Sequence, residues 1–299
     1  MNLFYKIHSY RRAYKNWISV MVQIFLYSKW DKKRLITVVT RRGLVKSKIP
    51  LPLGFTYVSA ICSNSLLVSD ISIEDGLLSF FFDNRKLAFD VRAGSPIEVF
   101  FNEEYGFLDV KFKIVVDIGA NIGDSAVYFA IKGAQRVIAL EPFPYTFKFA
   151  NENIAKSGLS DKIEILNAGY GNDQVIAIDE EFYSDNISST SDLDMKGVNF
   201  GRKKVINIYS LKTLTEKYKI EEGILKIDCE GCEYNLLDEE DRILRRFSMI
   251  QIEYHKGCED LVKKFENAGF ERKQYQQSNE MYLLNKQNGV GYLYLERCF

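Results

Sequence analysis

The sequence predicts an α/β fold of the doubly wound type, preceded by a helical and β-rich N-terminal region. From residue 113 onwards, continuous apolar runs that are typical of buried parallel strands alternate with segments of helical spacing. Two further strand-like runs lie between residues 270 and 297, around the hairpin signal Asn288-Gly289. Together these observations predict a mostly parallel sheet with one reversed strand.

The 299-residue chain is predicted to have three segments. Residues 1–34 form a basic amphipathic helical arm, and residues 35–110 form a small β-rich region in which turn signals separate short apolar runs. Residues 111–299 hold the alternating strands and helices. Within this last segment, the polar residues 171–203 are predicted to form an active-site loop or lid.

The N-terminal arm concentrates positive charge. The first 50 residues carry twelve Lys or Arg against one acid, so the rest of this neutral chain carries a net charge of −11. Such a segment is expected to meet an anionic surface, either phospholipid or nucleic acid, or else the acidic part of its own chain.

The apolar run WISVMVQIFLY, residues 17–27, bears on membrane association. It is too short for a spanning helix, which needs about 20 residues, and the following YSKWDKKR is a poor signal-peptide cleavage site. We predict a helix that packs on the protein, with a position on a membrane surface as the alternative. The expected location is cytoplasmic, with peripheral membrane contact through residues 1–34 left open.

The five cysteines are scattered, which argues against a disulfide framework and favours a reducing compartment. Cys229 and Cys232 have the spacing of a redox or zinc pair. Because no second pair accompanies them, we predict two small buried thiols.

The candidate site residues are polar residues that end successive predicted strands. Ligands of doubly wound sheets bind beyond the carboxyl ends of the strands, which makes those positions the ones to examine. They are Asp117, Glu141, Asn167, Asp228 and His255.

The stretch VVDIGANIGD joins the first core strand to a helix through a tight turn. Gly119 and Gly123 allow positive φ angles, and Asn121 tolerates the left-handed conformation. A dinucleotide fingerprint would need glycine where Asn121 and Asp124 stand, and an acid at a helix start repels a pyrophosphate. The turn instead suits a cationic ligand whose ammonium group Asp117 can face, unless it is a strand-to-helix turn without a ligand.

Glu141 ends the second core strand, where a carboxylate can accept both hydroxyl groups of a ribose. This role would serve a nicotinamide dinucleotide and S-adenosylmethionine equally. Asn167 ends the third strand, where its amide can read an adenine edge or simply stabilise a turn.

A second cluster is predicted at the ends of the later strands LKIDCEG and IQIEYH. Side chains two residues apart share one face of a strand, so Lys226 lies with Asp228, and Glu230 follows just beyond. Glu253 and His255 likewise share a face. If the strands are neighbours, three carboxylates and one imidazole converge, which suits a general base. The same groups would suit a divalent metal, although we predict no metal site.

These motifs resemble those of the FkbM-type methyltransferases, a family of class I S-adenosylmethionine-dependent enzymes. The matching stretches span residues 115 to about 270 and are VVDIGANIGDSAVYFA, VIALEPFPYTFKFANENI, ILNAG, LKIDCEGCEYNLL and IQIEYH. The run EPFPYTF followed by NENI looks like archaeal members of the family.

The resemblance implies a seven-stranded sheet and methyl transfer from S-adenosylmethionine, usually to a hydroxyl oxygen of a sugar or other small metabolite. By position it also implies the cofactor contacts. The methionine part would be held by Asp117, Gly119, Asn121 and Gly123, the ribose by Glu141 beside Pro142, and the adenine by Asn167 with Ala168.

The sequence therefore predicts an O-methyltransferase with a glycan or small-metabolite acceptor, whose base is sought among Asp228, Glu230, Glu253 and His255. Nucleic acid is not expected as a partner, because aromatic runs such as SFFFD alternate as buried strand residues. The alternative is a non-catalytic protein of the same fold whose basic arm docks on membrane or nucleic acid. A nicotinamide dehydrogenase is disfavoured by the glycine spacing.

Overall fold

The computed structural model describes residues 3–27, 35–41, 46–50, 54, 57–58, 67–74, 76–179, 203–275 and 289–298. The chain divides into two compact units, Met1–Glu103 and Glu104–Phe299. The predicted lid is described only at its ends, because residues 180–202 lie outside the described part, as do residues 28–34 of the arm and Asn288 of the hairpin turn.

The first unit combines helices with two small antiparallel sheets. In chain order its elements are α1 (Leu3–Ala13), α2 (Trp17–Tyr27), β1 (Leu35–Val39), β2 (Lys46–Pro50), β3 (Val68–Glu74), β4 (Leu77–Phe82), β5 (Arg85–Asp90) and α3 (Ile97–Phe101). β1 pairs with β2, and β4 lies between β3 and β5. Alternate residues of β4 are buried, and their rings pack on Phe89 and Phe100, as expected for strands with one face on a core.

No helix among the described residues combines the length and apolar character needed to cross a bilayer. The eleven-residue α2 packs against α1 and β1 through its buried Val20 and Ile24.

The second unit is built on a seven-stranded sheet. The strands of this unit are β6 (Ile114–Ile118), β7 (Arg136–Leu140), β8 (Ile163–Leu166), β9 (Ala168–Tyr170), β10 (Gln174–Asp179), β11 (Lys203–Tyr209), β12 (Gly223–Ile227), β13 (Phe247–Tyr254), β14 (Phe270–Lys273) and β15 (Gly291–Arg297). The order in the large sheet is β14-β15-β13-β12-β6-β7-β8, and the smaller sheet has the order β10-β11-β9.

All neighbours in the large sheet are parallel except that β15 runs antiparallel to both β13 and β14. The predicted α/β sheet with one reversed strand is therefore confirmed. Strand order changes direction between β6 and β12, so the crevice where such folds bind ligands lies at the carboxyl ends of these two central strands.

The helices of this unit are α4 (Asp124–Ile131), α5 (Pro144–Ser157), α6 (Leu211–Lys217), α7 (Asp241–Leu244) and α8 (Glu259–Asn267). The run CEYNLLDEEDRILRRF, residues 232–247, predicts a single helix, and this prediction is wrong. A 3₁₀ turn spans Cys232–Leu237, and α7 begins only after Glu240, whose extended backbone interrupts the helical path.

Candidate functional site

A cleft of about 540 Å³ opens at the carboxyl ends of β6, β7 and β12. Its volume lies in the range of small-molecule sites, roughly 300–1,000 Å³. The lining includes Gly119, Pro142, Ala168, Tyr170, Cys232 and Lys256. Three of the predicted cofactor residues, Gly119, Pro142 and Ala168, thus border one cavity at the crevice that the topology predicts.

The turn after β6 has the left-handed backbone that its sequence predicts. The φ angles are 78° at Gly119, 46° at Asn121 and 82° at Gly123. A Cβ atom on Gly119 would lie 1.7 Å from the carbonyl oxygen of Asp228, so only glycine lets the turn pack on the end of β12.

Asp117 is fully buried and supports this turn from within the protein. Its Oδ1 lies 3.1 Å from Lys226 Nζ, and its Oδ2 accepts a hydrogen bond from Ser125 Oγ at 2.6 Å. Lys226 Nζ also donates to the carbonyl oxygen of Gly119 at 2.7 Å. Burial alone would lower the pKa of Lys226, but the carboxylates of Asp117 and Asp228 outweigh it and raise that pKa. Contact between Asp117 and a ligand's ammonium group stays a prediction.

Glu141 joins the turn to the end of β7. Its Oε2 accepts from the backbone N–H of Asn121 and its Oε1 from that of Phe143, both at 3.0 Å. Burial raises the pKa of this carboxyl to about 8, against the opposing effect of the two backbone hydrogen bonds. Its role in binding a ribose stays a prediction.

Asn167 holds the segment that follows Glu141. Its Nδ2 donates to the carbonyl oxygens of Glu141 at 3.0 Å and of Pro142 at 2.9 Å. Its Oδ1 is buried and accepts no hydrogen bond from the residues that the structure describes. This orphaned acceptor, which precedes the lining residue Ala168 in the chain, fits the predicted contact with an adenine edge.

His255 follows β13, and each of its ring nitrogens lies close to a carboxylate oxygen. Nδ1 lies 3.0 Å from Oε1 of the fully buried Glu233, and Nε2 lies 3.2 Å from Oε2 of the half-exposed Glu230. Glu233 Oε1 also accepts from the backbone N–H of His255 at 3.1 Å. Burial lowers the pKa of His255, but the hydrogen bond to Glu233 and the nearby carboxylates outweigh it, so the pKa is raised.

Asp228 and Glu253 complete the group at the ends of β12 and β13. Burial, and then the adjacent Asp228, raise the pKa of Glu253. One ligand atom each from Asp228, Glu253 and His255 lies within 4.8 Å of the others, a spacing that would accommodate a divalent cation. The structure therefore brings together the four residues predicted as catalytic, and their chemical roles stay predictions.

Two contributors to this region were missed from the sequence. Glu233 is completely buried, and its only sequence signal is its place within the stretch LKIDCEGCEYNLL, between Cys232 and Tyr234. Glu104 has no local signal. Its carboxylate hydrogen-bonds to the hydroxyl of Tyr292, which is 188 residues away, and its carbonyl accepts from Gln251 Nε2 at 3.1 Å.

Cys229 and Cys232 are buried as predicted, but the prediction that they are free thiols is wrong, because the structure joins them in a disulfide. Glu230 and Gly231 between them both have left-handed backbone, with φ angles of 54° and 119°. The resulting tight turn brings the two Cα atoms to 5.5 Å, a bonding separation. Both cysteines line the cleft.

Residues 117–272, about half of the chain, match the family model described as the methyltransferase FkbM domain. Two curated relatives match shorter segments. A tRNA(Phe) (4-demethylwyosine(37)-C(7)) aminocarboxypropyltransferase of Pyrococcus horikoshii is 42% identical over 55 residues, which are 18% of this chain and 20% of that protein. A ribosomal protein L11 methyltransferase of Carboxydothermus hydrogenoformans is 41% identical over 54 residues, 18% of each protein. The chain thus spans about a fifth of the length of these relatives.

Among solved structures, an rRNA methylase from Streptococcus thermophilus is similar, with a TM-score of 0.40 and 15% identity. The similarity covers 66% of this chain and 95% of that protein. A ribosomal protein L11 methylase from Lactobacillus delbrueckii gives a TM-score of 0.36 at 15% identity, covering 66% of this chain and 76% of the other.

Proposed function

The chain belongs to the methyltransferase FkbM domain family, and from this premise we propose that it transfers a methyl group to a hydroxyl oxygen of a sugar, a glycan or another small metabolite. S-adenosylmethionine is the expected cofactor. When bound, it supplies a methyl group on a positively charged sulfur, already activated for transfer. The protein then has to hold the acceptor oxygen in line with that methyl group and take up its proton.

The residues around the cleft fit this cofactor. Gly119 and Pro142 border a cavity of about 540 Å³. Glu141 lies at the end of β7, where a carboxylate can hold a ribose, and Asn167 Oδ1 is a buried acceptor that lacks a partner among the described residues. These features support the predicted contacts with the ribose and the adenine.

The observation that carries the choice of a hydroxyl acceptor is the pairing of His255 with Glu233. An alcohol holds its proton tightly, so methyl transfer to its oxygen gains from a positioned base. Glu233 fixes the ring orientation through Nδ1 and stabilises the protonated imidazole, which leaves Nε2, now near Glu230, as the nitrogen that can face an acceptor. Asp228 and Glu253 lie within reach of the same point.

Nucleic acid and protein are the competing acceptor classes. The relatives named above act, by their names, on tRNA and on a ribosomal protein, so the exclusion of nucleic acid that the sequence suggested finds no support in them. Cytoplasmic location and peripheral membrane contact are likewise proposals.

Two measurements test the proposal. Calorimetry with S-adenosylmethionine should show saturable binding, and a folded protein that gives no binding heat at millimolar cofactor would refute it. Methyl transfer from radiolabelled cofactor should then be compared between a panel of sugars and glycans, bulk tRNA and rRNA, and ribosomal protein. Label in the sugar panel that disappears in His255→Gln supports a hydroxyl acceptor, whereas label confined to RNA or protein overturns it.

A further inference from the structure

Helix α2 presents an exposed apolar face. Ile18 is 60% exposed, Val22 50%, Phe25 82% and Leu26 53%. Their spacing of four, three and one residues places them on one side of a helix. The opposite side, with Val20 and Ile24, is already buried against α1 and β1, so the exposed face is not the side by which α2 packs on its own unit.

Four exposed apolar side chains on one helix are unusual within the described part of the protein. Among the side chains whose exposure the structure describes, no other helix has more than one exposed large apolar residue. Single exposed apolar residues are normal on protein surfaces, but a contiguous apolar stripe is typical of a surface that meets a partner or a membrane.

Exposed basic side chains immediately precede α2 in the chain, and α2 itself contains no acid. Arg11, Arg12 and Lys15 are exposed just before α2, and the guanidinium of Arg11 lies 5.9 Å from the ring centre of Trp17, the first residue of α2. In the sequence, the only acid among the first 50 residues is Asp31. An apolar helical face beside basic side chains, with a Trp at the boundary, is the pattern of helices that lie in the interface of an anionic membrane.

We propose that the face formed by Ile18, Val22, Phe25 and Leu26 docks on an anionic lipid leaflet. The charge decides between this occupant and a second copy of the chain, because self-association through this face would bring two strongly basic segments together, whereas anionic lipid satisfies the apolar and the basic parts at once. Because α2 is too short to span a bilayer, the helix lies parallel to the leaflet with Phe25, its most exposed ring, directed into it. This docking surface is independent of the proposed methyl transfer.

Co-sedimentation of the full-length chain with vesicles tests the proposal. Phosphatidylcholine vesicles that contain phosphatidylserine should pellet the protein, and pure phosphatidylcholine vesicles should pellet much less. The double variant Phe25→Ser/Leu26→Ser should bind the anionic vesicles at least about tenfold more weakly, because two apolar side chains are lost from the contact. Arg12→Gln/Lys15→Gln should weaken binding to a similar degree at low salt and much less at high salt.

The matched control is Val175→Ser/Val205→Ser, which removes two equally exposed apolar side chains from the second unit and should leave vesicle binding unchanged. Cofactor affinity, measured on the same preparations, should be the same in all variants, so a failure here is distinct from a failure of the methyltransferase proposal. Equal pelleting of the wild type and the Phe25→Ser/Leu26→Ser variant would overturn the proposal. The proposal would also be overturned if the wild type did not bind vesicles but formed a dimer that the Phe25→Ser/Leu26→Ser variant abolishes.

Discussion

Glu141 ties the glycine turn to the end of β7 through hydrogen bonds to the backbone N–H groups of Asn121 and Phe143. A hydrogen bond of this kind contributes about 0.5–1.5 kcal/mol net, so losing both releases the turn that shapes the cleft. We expect Glu141→Ala to raise the dissociation constant for S-adenosylmethionine at least about tenfold in calorimetry. Glu141→Gln keeps one acceptor oxygen, so its dissociation constant should lie between those of the wild type and of Glu141→Ala. A folded Glu141→Ala protein with wild-type affinity would remove both the ribose role and the turn-holding role.

His255 owes its raised pKa to carboxylates rather than to its burial, which acts in the opposite direction. Glu233→Gln retains an acceptor for the ring but removes a negative charge, so the pKa of His255 should fall. The acid limb of the pH–rate profile should therefore move to lower pH, while the plateau rate drops because the base is weaker. His255→Ala should lose about 10²-fold or more in turnover. Both variants should bind the cofactor normally. A pH profile of Glu233→Gln that overlies the wild type would show that His255 is not the titrating base.

At the scale of elements, the turn between β6 and α4 depends on one glycine. Alanine at Gly119 would meet both a left-handed φ of 78° and the backbone of Asp228, whereas alanine at Gly158 would meet a similar φ of 67° with no atom within 4 Å. We expect Gly158→Ala to cost about 1–2 kcal/mol of unfolding free energy, and Gly119→Ala to cost about 1–3 kcal/mol more. Urea denaturation measures both. Equal losses in the two variants would mean that the turn does not need its close contact with β12.

The sequence predicts the central strands because they are dominated by apolar residues and because polar residues lie at or near their carboxyl ends. Asp117, Glu141 and Asp228 could be placed near one another on that basis alone, since carboxyl ends of parallel strands meet at one edge of the sheet. The pairing of Lys226 with Asp117 could not be predicted, because it depends on the register of two strands more than 100 residues apart. The break after Leu237 was missed because apolar spacing does not distinguish one helix from a 3₁₀ turn followed by a short helix.

At the scale of the whole molecule, the second unit buries several carboxyl groups that prefer to be protonated. Burial raises the pKa of Asp124 and of Glu141 to about 8 in each case, from ordinary values near 4. Between those values the folded protein binds protons that the unfolded chain has already released. Stability is therefore highest below about pH 4 for these two groups and falls as the pH rises through 8. The raised pKa of His255 acts in the same direction.

Asp124, at the start of α4, isolates one proton of this effect. Each proton that the folded state holds in excess contributes a slope of about 1.4 kcal/mol per pH unit to the free energy of unfolding. Asp124→Asn keeps the size of the side chain but cannot titrate. Between about pH 5 and pH 7, the unfolding free energy of this variant should therefore fall with pH less steeply than that of the wild type, and the difference in slope should correspond to nearly one proton. Glu141→Gln should reduce the slope by a similar amount. The double variant should reduce it by the sum of the two, because the two groups contribute separate protons. Urea denaturation at several pH values gives these slopes. Variant curves parallel to the wild type would mean that both carboxyl groups are ionised in the folded protein and that Lys226 outweighs their burial.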